Sequence, residues 1–246
     1  VVFPSKCQLA VPFSVAGEDR AGNKANVVFH PIIKRKGFKH ARLQITDTFF
    51  KSVIPYFTER DPNLKGTPLE IFLTINQKQR QADHQEIQKL CQHTEPRPLW
   101  SGPFLRLPNS KPMASFGEDR TYWYEGKQVD RQVHLGADLA STAKSPVPAA
   151  NSGKIAFAGP LGIYGNSVLI DHGCGLFSMY SHLSQITAEV KKEVKRGETI
   201  GRTGATGLAG GDHLHFSILV HGVFVNPMEW WDEHWIKDNV EKKIAG

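Results

Sequence analysis

The segment His213-Leu214-His215-Phe216 constrains this chain more than any other. In an extended strand, side chains at positions i and i+2 project from the same face of a sheet. The imidazoles of His213 and His215 are therefore predicted to stand side by side on one surface. Such a pair suits a zinc site in which one histidine binds the metal and another acts on the chemistry beside it.

A second pair lies upstream, in His134-Leu135-Gly136-Ala137-Asp138. The i, i+4 spacing puts His134 and Asp138 on one face in a strand or in a helix. Two imidazole nitrogens and one carboxylate oxygen make a set of three protein ligands, and this set leaves one coordination position free for water. The two pairs together predict a catalytic zinc site rather than a structural one.

Further motifs accompany these pairs in a fixed order. In chain order they are Ser115-Phe116-Gly117, His134-Leu135-Gly136-Ala137-Asp138, Gly153-Lys154-Ile155, Tyr164-Gly165-Asn166, Asp171-His172-Gly173, Tyr180-Ser181-His182-Leu183, Gly197-Glu198-Thr199-Ile200-Gly201, Thr203-Gly204-Ala205-Thr206-Gly207 and His213-Leu214-His215-Phe216. With this ordered set, residues 99–231 resemble the catalytic domain of the lysostaphin/LytM-type zinc metallopeptidases, which cut peptide bonds in bacterial peptidoglycan.

The resemblance implies a role for each site residue. His134, Asp138 and His215 would bind one Zn²⁺ per chain, and His182 and His213 would be the catalytic histidines. One of these two would take the proton of the zinc-bound water, and the other would stabilise the oxyanion or protonate the leaving amine. The assignment between them stays open.

The resemblance also suggests how the substrate cleft is formed. The glycine-rich loop 201–207 would help to shape the cleft together with Asn166, which is a candidate substrate-binding residue. Tyr180 is a second candidate, although its position favours the wall of the cleft or the core over a catalytic role.

Other site types fit the sequence less well. The chain has no His-Glu-x-x-His motif, which argues against a thermolysin-like site. Loop 201–207 lacks the Lys-Ser/Thr ending of a phosphate-binding loop. His172 follows Asp171 and looks equally ligand-like, but its position is read as a strand end that leads into a turn.

Composition narrows the partners and the compartment. The 246 residues carry a net charge of +6, which favours an anionic partner. No dense stripe of basic residues interleaved with aromatic ones occurs, so the cell wall is preferred to nucleic acid. No apolar run reaches the length of a membrane span. Residues 1–4 do not resemble a signal peptide, and we expect a processed chain in the cell envelope, periplasmic or secreted. The oligomeric state is open.

The predicted fold is mainly β. Short strands at 8–15, 25–33, 41–48 and 69–75 predict a small antiparallel, immunoglobulin-like β-sandwich over residues 1–76. A helix at 77–93 and a proline-bearing linker to residue 98 follow. Residues 99–235 are predicted to form a curved antiparallel sheet with a groove, and 236–246 a tail. A short helix is predicted at 231–244.

Two questions stay open at this stage. Cys7 and Cys91 would form a disulfide in an oxidising compartment, or all three cysteines are free thiols. The N-terminal part would bind the wall, act as a spacer or cover the groove. The leading hypothesis is therefore a zinc endopeptidase of peptidoglycan, and the alternative is a silent or autoinhibited wall-binding regulator of other hydrolases.

Overall fold

The computed structural model describes residues 13–29 and 37–244, and it divides into two compact units. The first unit ends at Phe38 and contains an antiparallel hairpin of strands β1 (Phe13–Glu18) and β2 (Lys24–Phe29). Asp19 stabilises the turn, since its Oδ1 accepts the N–H groups of Ala21 and Asn23. The remaining parts of predicted strands 8–15 and 25–33, and Cys7 with its predicted disulfide, lie outside the described residues.

The second unit runs from Lys39 to Gly246 and contains the other strands and the helices. Its strands are β3 (His40–Gln44), β4 (Lys111–Ala114), β5 (Asp119–Tyr124), β6 (Lys127–Val133), β7 (Ala137–Ala140), β8 (Pro146–Pro148), β9 (Gly153–Pro160), β10 (Asn166–Asp171), β11 (Leu176–Ser181), β12 (Gln185–Ile186), β13 (Glu193–Val194), β14 (Thr199–Arg202), β15 (Leu214–Val220) and β16 (Val223–Val225). Its α-helices are α1 (Asp47–Thr58), α2 (Pro68–Leu73), α3 (Arg80–Leu90), α4 (Pro227–Trp230), α5 (Glu233–Ile236) and α6 (Lys242–Ile244). A π-helical turn, Thr74–Gln79, joins α2 to α3, another, Lys237–Glu241, joins α5 to α6, and Gly162–Tyr164 forms a 3₁₀ turn.

The largest sheet is antiparallel and has the strand order β13-β9-β10-β11-β15-β7-β4, with β16 also paired to β15. A small sheet has the order β12-β14-β8, and a second one has the order β3-β5-β6, in which β3 runs parallel to β5. The predicted mainly β class, with an antiparallel sheet in the C-terminal part, is confirmed. The predicted terminal helix is also found, as α5, α6 and the turn between them.

The two faces of the large sheet bury different cores. Leu214, Phe216 and Ile218 alternate along β15 and pack into one core on the first face. On the second face, Phe177 of β11 and Leu219 of β15 pack against the helical layer of α1, α2 and α3. The helices between residues 47 and 90 thus complete the core of the sheet, and they form one compact unit with it.

The predicted strand at 69–75 is wrong, because helix α2 occupies this position. Thr67 caps the helix: its side chain accepts the N–H of Glu70, whose carboxylate in turn accepts the N–H of Thr67. Pro68 fits the first helical turn, where its missing N–H costs no hydrogen bond. A short apolar run such as 69–75 fits a buried helix as well as a strand, and here the capping residues decide.

The immunoglobulin-like sandwich is not seen in the described residues of its predicted range. Between residues 39 and 76, the predicted strand 41–48 gives way to β3 and the start of α1, which Thr46 caps. The predicted helix at 77–93 is found, as the end of a helical run from Pro68 to Leu90. The boundary between the compact units lies after Phe38, whereas the predicted linker lies within 77–98. Among the described residues, the helices are too short or too polar to cross a bilayer.

Candidate metal centre

Strand pairing brings the two sequence motifs together. In the register of β7 and β15, Asp138 lies directly opposite His215. His134 stands just before β7 and turns its ring toward the same point. Oδ1 of Asp138 lies 2.9 Å from Nδ1 of His215 and 3.0 Å from Nε2 of His134, and the two nitrogens are 3.0 Å apart. All three residues are buried.

Hydrogen bonds fix which ring nitrogen of each histidine is protonated. Nδ1 of His134 faces the carbonyl oxygen of Ser115 at 3.0 Å, and because a carbonyl only accepts, Nδ1 carries the proton. The hydroxyl of Ser217 donates to the carbonyl of Leu135 and therefore accepts from Nε2 of His215. Nε2 of His134 and Nδ1 of His215 therefore carry no proton, and their lone pairs point at each other.

This donor set fits a metal cation. A carboxylate oxygen and two imidazole lone pairs converge on one point, and three acceptors at such distances repel one another unless a cation lies between them. Zn²⁺ accepts imidazole nitrogen and carboxylate oxygen, and three protein ligands leave it an open position. The outer hydrogen bonds to Ser115 and Ser217 are of the kind that orients metal-binding histidines.

Arg120 holds the remaining oxygen of Asp138. Its Nη2 lies 2.8 Å from Oδ2 of Asp138, and its Nε lies 2.9 Å from Oε1 of Glu118. Burial alone would raise the pKa of Asp138, but the polar side chains around it keep this pKa well below its ordinary value. Asp138 is therefore an ionised carboxylate with one oxygen directed at the candidate metal position.

Two more histidines adjoin the cluster. The ring centroids of His182 and His213 are 4.8 Å apart, and that of His182 lies 5.8 Å from that of His215. Nδ1 of His182 faces the carbonyl oxygen of Thr206, and Nδ1 of His213 faces that of Gly211, each at 2.8 Å. Both Nδ1 atoms must donate, so both rings keep Nε2 free for the site.

The environments of these two rings differ. Burial, followed by the nearby His213 and His215, lowers the pKa of His182 well below its ordinary value. Burial also acts to lower the pKa of His213, but the nearby carboxylate of Asp138, whose Oδ1 lies 3.6 Å from Nε2 of His213, raises it overall. Without a bound metal, His182 therefore binds a proton less strongly than His213 does.

His182 has a backbone conformation that is uncommon for a side-chain-bearing residue. It follows the last residue of β11 with φ at 63°, in the left-handed region. Its N–H donates to the carbonyl of Tyr164, and its ring donates to Thr206. Strain of this kind persists where neighbouring contacts over-determine the geometry, and it often marks a functional residue.

The close packing around Gly136 explains why the motif from His134 to Asp138 contains a glycine at this position. A Cβ at this position would lie 2.6 Å from Nε2 of His215 and 2.6 Å from the carbonyl oxygen of Phe216. Any larger residue would therefore push the segment that bears His134 and Asp138 away from β15.

The other predicted residues have structural positions. Nδ2 of Asn166 donates to the carbonyl of Leu183, and Asn166 does not line the groove described below. Tyr180 is buried on the opposite face of the sheet, and its hydroxyl accepts the N–H of Ala150. The predicted substrate contact of Tyr180 is therefore corrected to a packing role. His172 is also buried there.

A groove of about 670 Å³ opens onto the histidine cluster. Sequence reasoning missed three arginines in its wall, Arg42, Arg80 and Arg120, and also missed the segment Ala41–Ile45. None of these belongs to a recognisable motif. The alternation of polar and aromatic residues in β5 is consistent with Arg120 and Tyr122 sharing one face, but it does not reveal which strand lies next to them.

Comparison with known proteins agrees with this geometry. Residues 132–227 match the model of peptidase family M23. This segment of the chain is similar to that family. The resemblance to lysostaphin/LytM-type peptidases that the ordered motifs indicate is thereby confirmed, and the matched M23 segment contains all five histidine and aspartate positions of the cluster.

Two curated relatives and one solved structure extend the comparison. The chain is 40% identical over 97 residues to the DD-carboxypeptidase/endopeptidase Mpg of Neisseria meningitidis, and 36% identical over 96 residues to the peptidoglycan DD-endopeptidase ShyA of Vibrio cholerae. Each match covers 39% of this chain and 22% of the relative, so the chain aligns with about a fifth of either protein. A crystal structure described as a peptidase M23 from Pseudomonas aeruginosa covers 95% of this chain and 78% of its own, with a TM-score of 0.56 and 21% identity. That likeness concerns the fold.

Proposed function

We propose that this protein is a zinc-dependent endopeptidase that hydrolyses peptide cross-links of bacterial peptidoglycan in the cell envelope. The observation that carries the proposal is the convergence of three bare acceptors, on His134, Asp138 and His215, beside two histidines that present a free Nε2. The relatives named DD-endopeptidases support a peptide bond between D-amino acids as the target.

Each group of the site has a defined task in this proposal. Zn²⁺ held by His134, Asp138 and His215 supplies a Lewis acid and a water whose pKa approaches about 7. Arg120 and Ser217 keep two of these ligands in orientation through the atoms that face away from the metal position. The water and the scissile carbonyl would meet at the open side, where the groove reaches the cluster.

His182 and His213 would handle the protons. Both rings donate Nδ1–H to a backbone carbonyl, so the lone pair or proton available to the substrate is at Nε2. One ring accepts the proton of the attacking water, and the other donates a proton to the leaving amine. Both rings present Nε2 to the site, and the two together complete one cycle of proton transfer.

Incubation of the purified, zinc-loaded protein with isolated sacculi tests the proposal. We expect release of peptides or loss of cross-linked dimers, with defined muropeptides and mass spectrometry identifying the bond. His182→Ala should remove this activity and keep the bound zinc. Intact sacculi with a zinc-loaded, folded wild-type protein would contradict the assignment as a hydrolase.

A second candidate function is a silent or autoinhibited regulator that binds the wall. It is favoured by one observation: Leu43, Ile45 and Phe49, all N-terminal to the M23 segment, line the groove over the cluster. If they obstruct the substrate, Leu43→Ala and Phe49→Ala should increase cleavage. If they form a productive wall, the same substitutions should decrease it. Truncation is a poorer test, because it would expose the core that the helices cover.

A further inference from the structure

Arg80 and Arg120 both line the groove and are half-buried, but their hydrogen-bond partners differ. Arg120 contacts the two carboxylates of Glu118 and Asp138. Arg80 donates only to neutral acceptors, from Nε to the carbonyl of Asn76 at 3.0 Å and from Nη2 to the Oδ1 atom of the same residue. In the described part of the chain, no carboxylate oxygen lies within 4.0 Å of its guanidinium nitrogens. Arg80 is thus a half-buried cation without a counter-ion there.

The guanidinium of Arg80 is held in place before any ligand arrives. Asn76 is fully buried, and its Nδ2 donates to Oδ2 of Asp130 at 2.7 Å, which fixes the amide that Arg80 contacts. Only two of the five N–H donors of the arginine are used in these contacts. The remaining donors of a half-buried, pre-oriented fork are suited to a carboxylate.

Tyr164 connects the helix that carries Arg80 to the histidine cluster. Arg80 and His84 are one turn apart on the same face of α3, and Nε2 of His84 lies 3.0 Å from the hydroxyl of Tyr164. The ring centroid of Tyr164 is 5.6 Å from that of His215. Tyr164 and Arg80 line the same groove as the cluster. A group bound at Arg80 therefore lies in the same groove as the histidine cluster.

The nearest acid on the helix does not neutralise Arg80. Asp83 directs one oxygen to the N–H of Ile163 and the other to the side chain of Gln79, each at 2.7 Å. These contacts attach α3 to the turn that precedes Tyr164. Asp83 thus serves the scaffold, and the positive charge of Arg80 remains available in the groove.

We propose that Arg80 is a binding subsite for a free carboxylate of the peptide substrate, in the same groove as the bond that is cut. The identity of the substrate rests on the proposed peptidase function. The subsite makes the enzyme selective for an acidic peptide and lies on a helix outside the segment that matches peptidase family M23.

Two matched peptides test this subsite. One carries a free carboxylate next to the cleaved D-amino-acid pair, and the other carries a carboxamide at the same place. The wild-type protein should bind and cleave the carboxylate peptide about 10- to 100-fold better, mainly through a lower KM. Arg80→Gln should reduce this preference to about twofold or less with an unchanged kcat on the amide peptide. Arg80→Lys should retain part of it, because the charge stays and the fork is lost.

Lys78→Gln is the matched control, since it removes one positive charge from the same helical run. Lys78 is exposed and lines a separate cavity of about 550 Å³. This variant should keep the wild-type preference. The preference is a ratio within each protein, so a modest loss of stability in Arg80→Gln does not affect the reading. A wild type that binds both peptides equally, or an Arg80→Gln protein that discriminates like the wild type, would overturn the proposal.

The affinity for both peptides is also measured calorimetrically with zinc removed. Because this measurement does not depend on cleavage, it tests the subsite separately from the proposed peptidase function. If the carboxylate preference in affinity depends on Arg80 but neither peptide is cut after zinc is restored, the subsite stands and the peptidase proposal fails. If both peptides are cut equally by wild type and variant, the peptidase proposal stands and the subsite is wrong.

Discussion

The groove face of the large sheet carries a buried histidine cluster, and the opposite face carries a second polar cluster that contains one histidine, His172. On the groove face, the lone pairs of His134 and His215 point with an oxygen of Asp138 at a shared position. On the opposite face, His172 lies 2.7 Å from the carbonyl oxygen of Ser152 at Nδ1 and 2.7 Å from the hydroxyl of Ser178 at Nε2. Every polar atom of the second ring is thus paired with a protein group.

The comparison shows that burial and hydrogen bonding do not by themselves distinguish a ligand from a core residue. Burial lowers the pKa of both His172 and His215 to about 4, so the pKa does not separate them either. What separates them is the direction of the lone pairs and the access to solvent. The first cluster leaves three acceptors unsatisfied at a groove, and the second closes its network inside the core.

The largest contrast is expected for metal binding. Asp138→Ala removes the only anionic ligand of the candidate centre, so zinc affinity should fall by more than about a hundredfold, and hydrolysis with it. His172→Ala should leave zinc affinity unchanged and cost about 1–3 kcal/mol of stability, because Ser152 and Ser178 lose their partner. Calorimetric zinc titration and denaturant unfolding measure both effects. Equal zinc affinity in the two variants would contradict the assignment of Asp138 as a metal ligand and of His172 as a core residue.

Loss of a catalytic ring should separate chemistry from metal binding. His182→Ala is expected to lower kcat by about 10²–10⁴-fold, since a positioned proton carrier is lost, while the zinc content stays at one per chain. His93→Ala serves as the control, because it changes an exposed histidine away from the groove. A His182→Ala protein with wild-type kcat would remove this residue from the mechanism.

Arg120 offers a smaller test on the groove face. Arg120→Gln removes the cation that holds Oδ2 of Asp138, so zinc affinity should decrease by about 10- to 100-fold with the ligands themselves intact. Arg131→Gln is the matched control, since Arg131 pairs with Asp119 at the surface. Competition with a chelator of known affinity gives both values. An unchanged affinity in Arg120→Gln would show that Asp138 needs no orienting partner.

His172 on the opposite face of the sheet should make the stability of the protein depend on pH. Burial lowers the pKa of His172 from 6.5 to about 4, so the unfolded chain takes up a proton there while the folded chain does not. Stability should therefore fall as the pH drops through this window, by about 2 kcal/mol from this residue between pH 7 and pH 5. His172→Gln should lose this part of the dependence. Unfolding measured at both pH values checks it, and equal slopes for both proteins would contradict it.

The groove face could be anticipated because its residues occur as spaced motifs. The period of a strand puts His213 and His215 on one face, and Gly136 permits the close approach of the upstream pair. The ordered motifs also indicated the family. Asn166 and Tyr180 belong to the same motifs, yet their side chains hydrogen-bond to backbone groups of the scaffold, because a motif records structural needs as well as chemical ones.

The N-terminal part was harder to predict for two physical reasons. The run 69–75 fits a buried helix or a strand, and only the capping box at Thr67 and Glu70 decides between them. In addition, β3 pairs with β5, some 80 positions later, and such a long-range pairing leaves no local pattern. The arginines of the groove were missed for the same reason, since the groove that they line is formed by elements far apart in the chain.

The most direct test of the account is anomalous diffraction at the zinc edge from crystals grown with one equivalent of Zn²⁺. We expect a single peak about 2.0–2.2 Å from Nε2 of His134, Oδ1 of Asp138 and Nδ1 of His215, with its open side toward the groove. No peak, or one coordinated by other residues, would contradict the central claim.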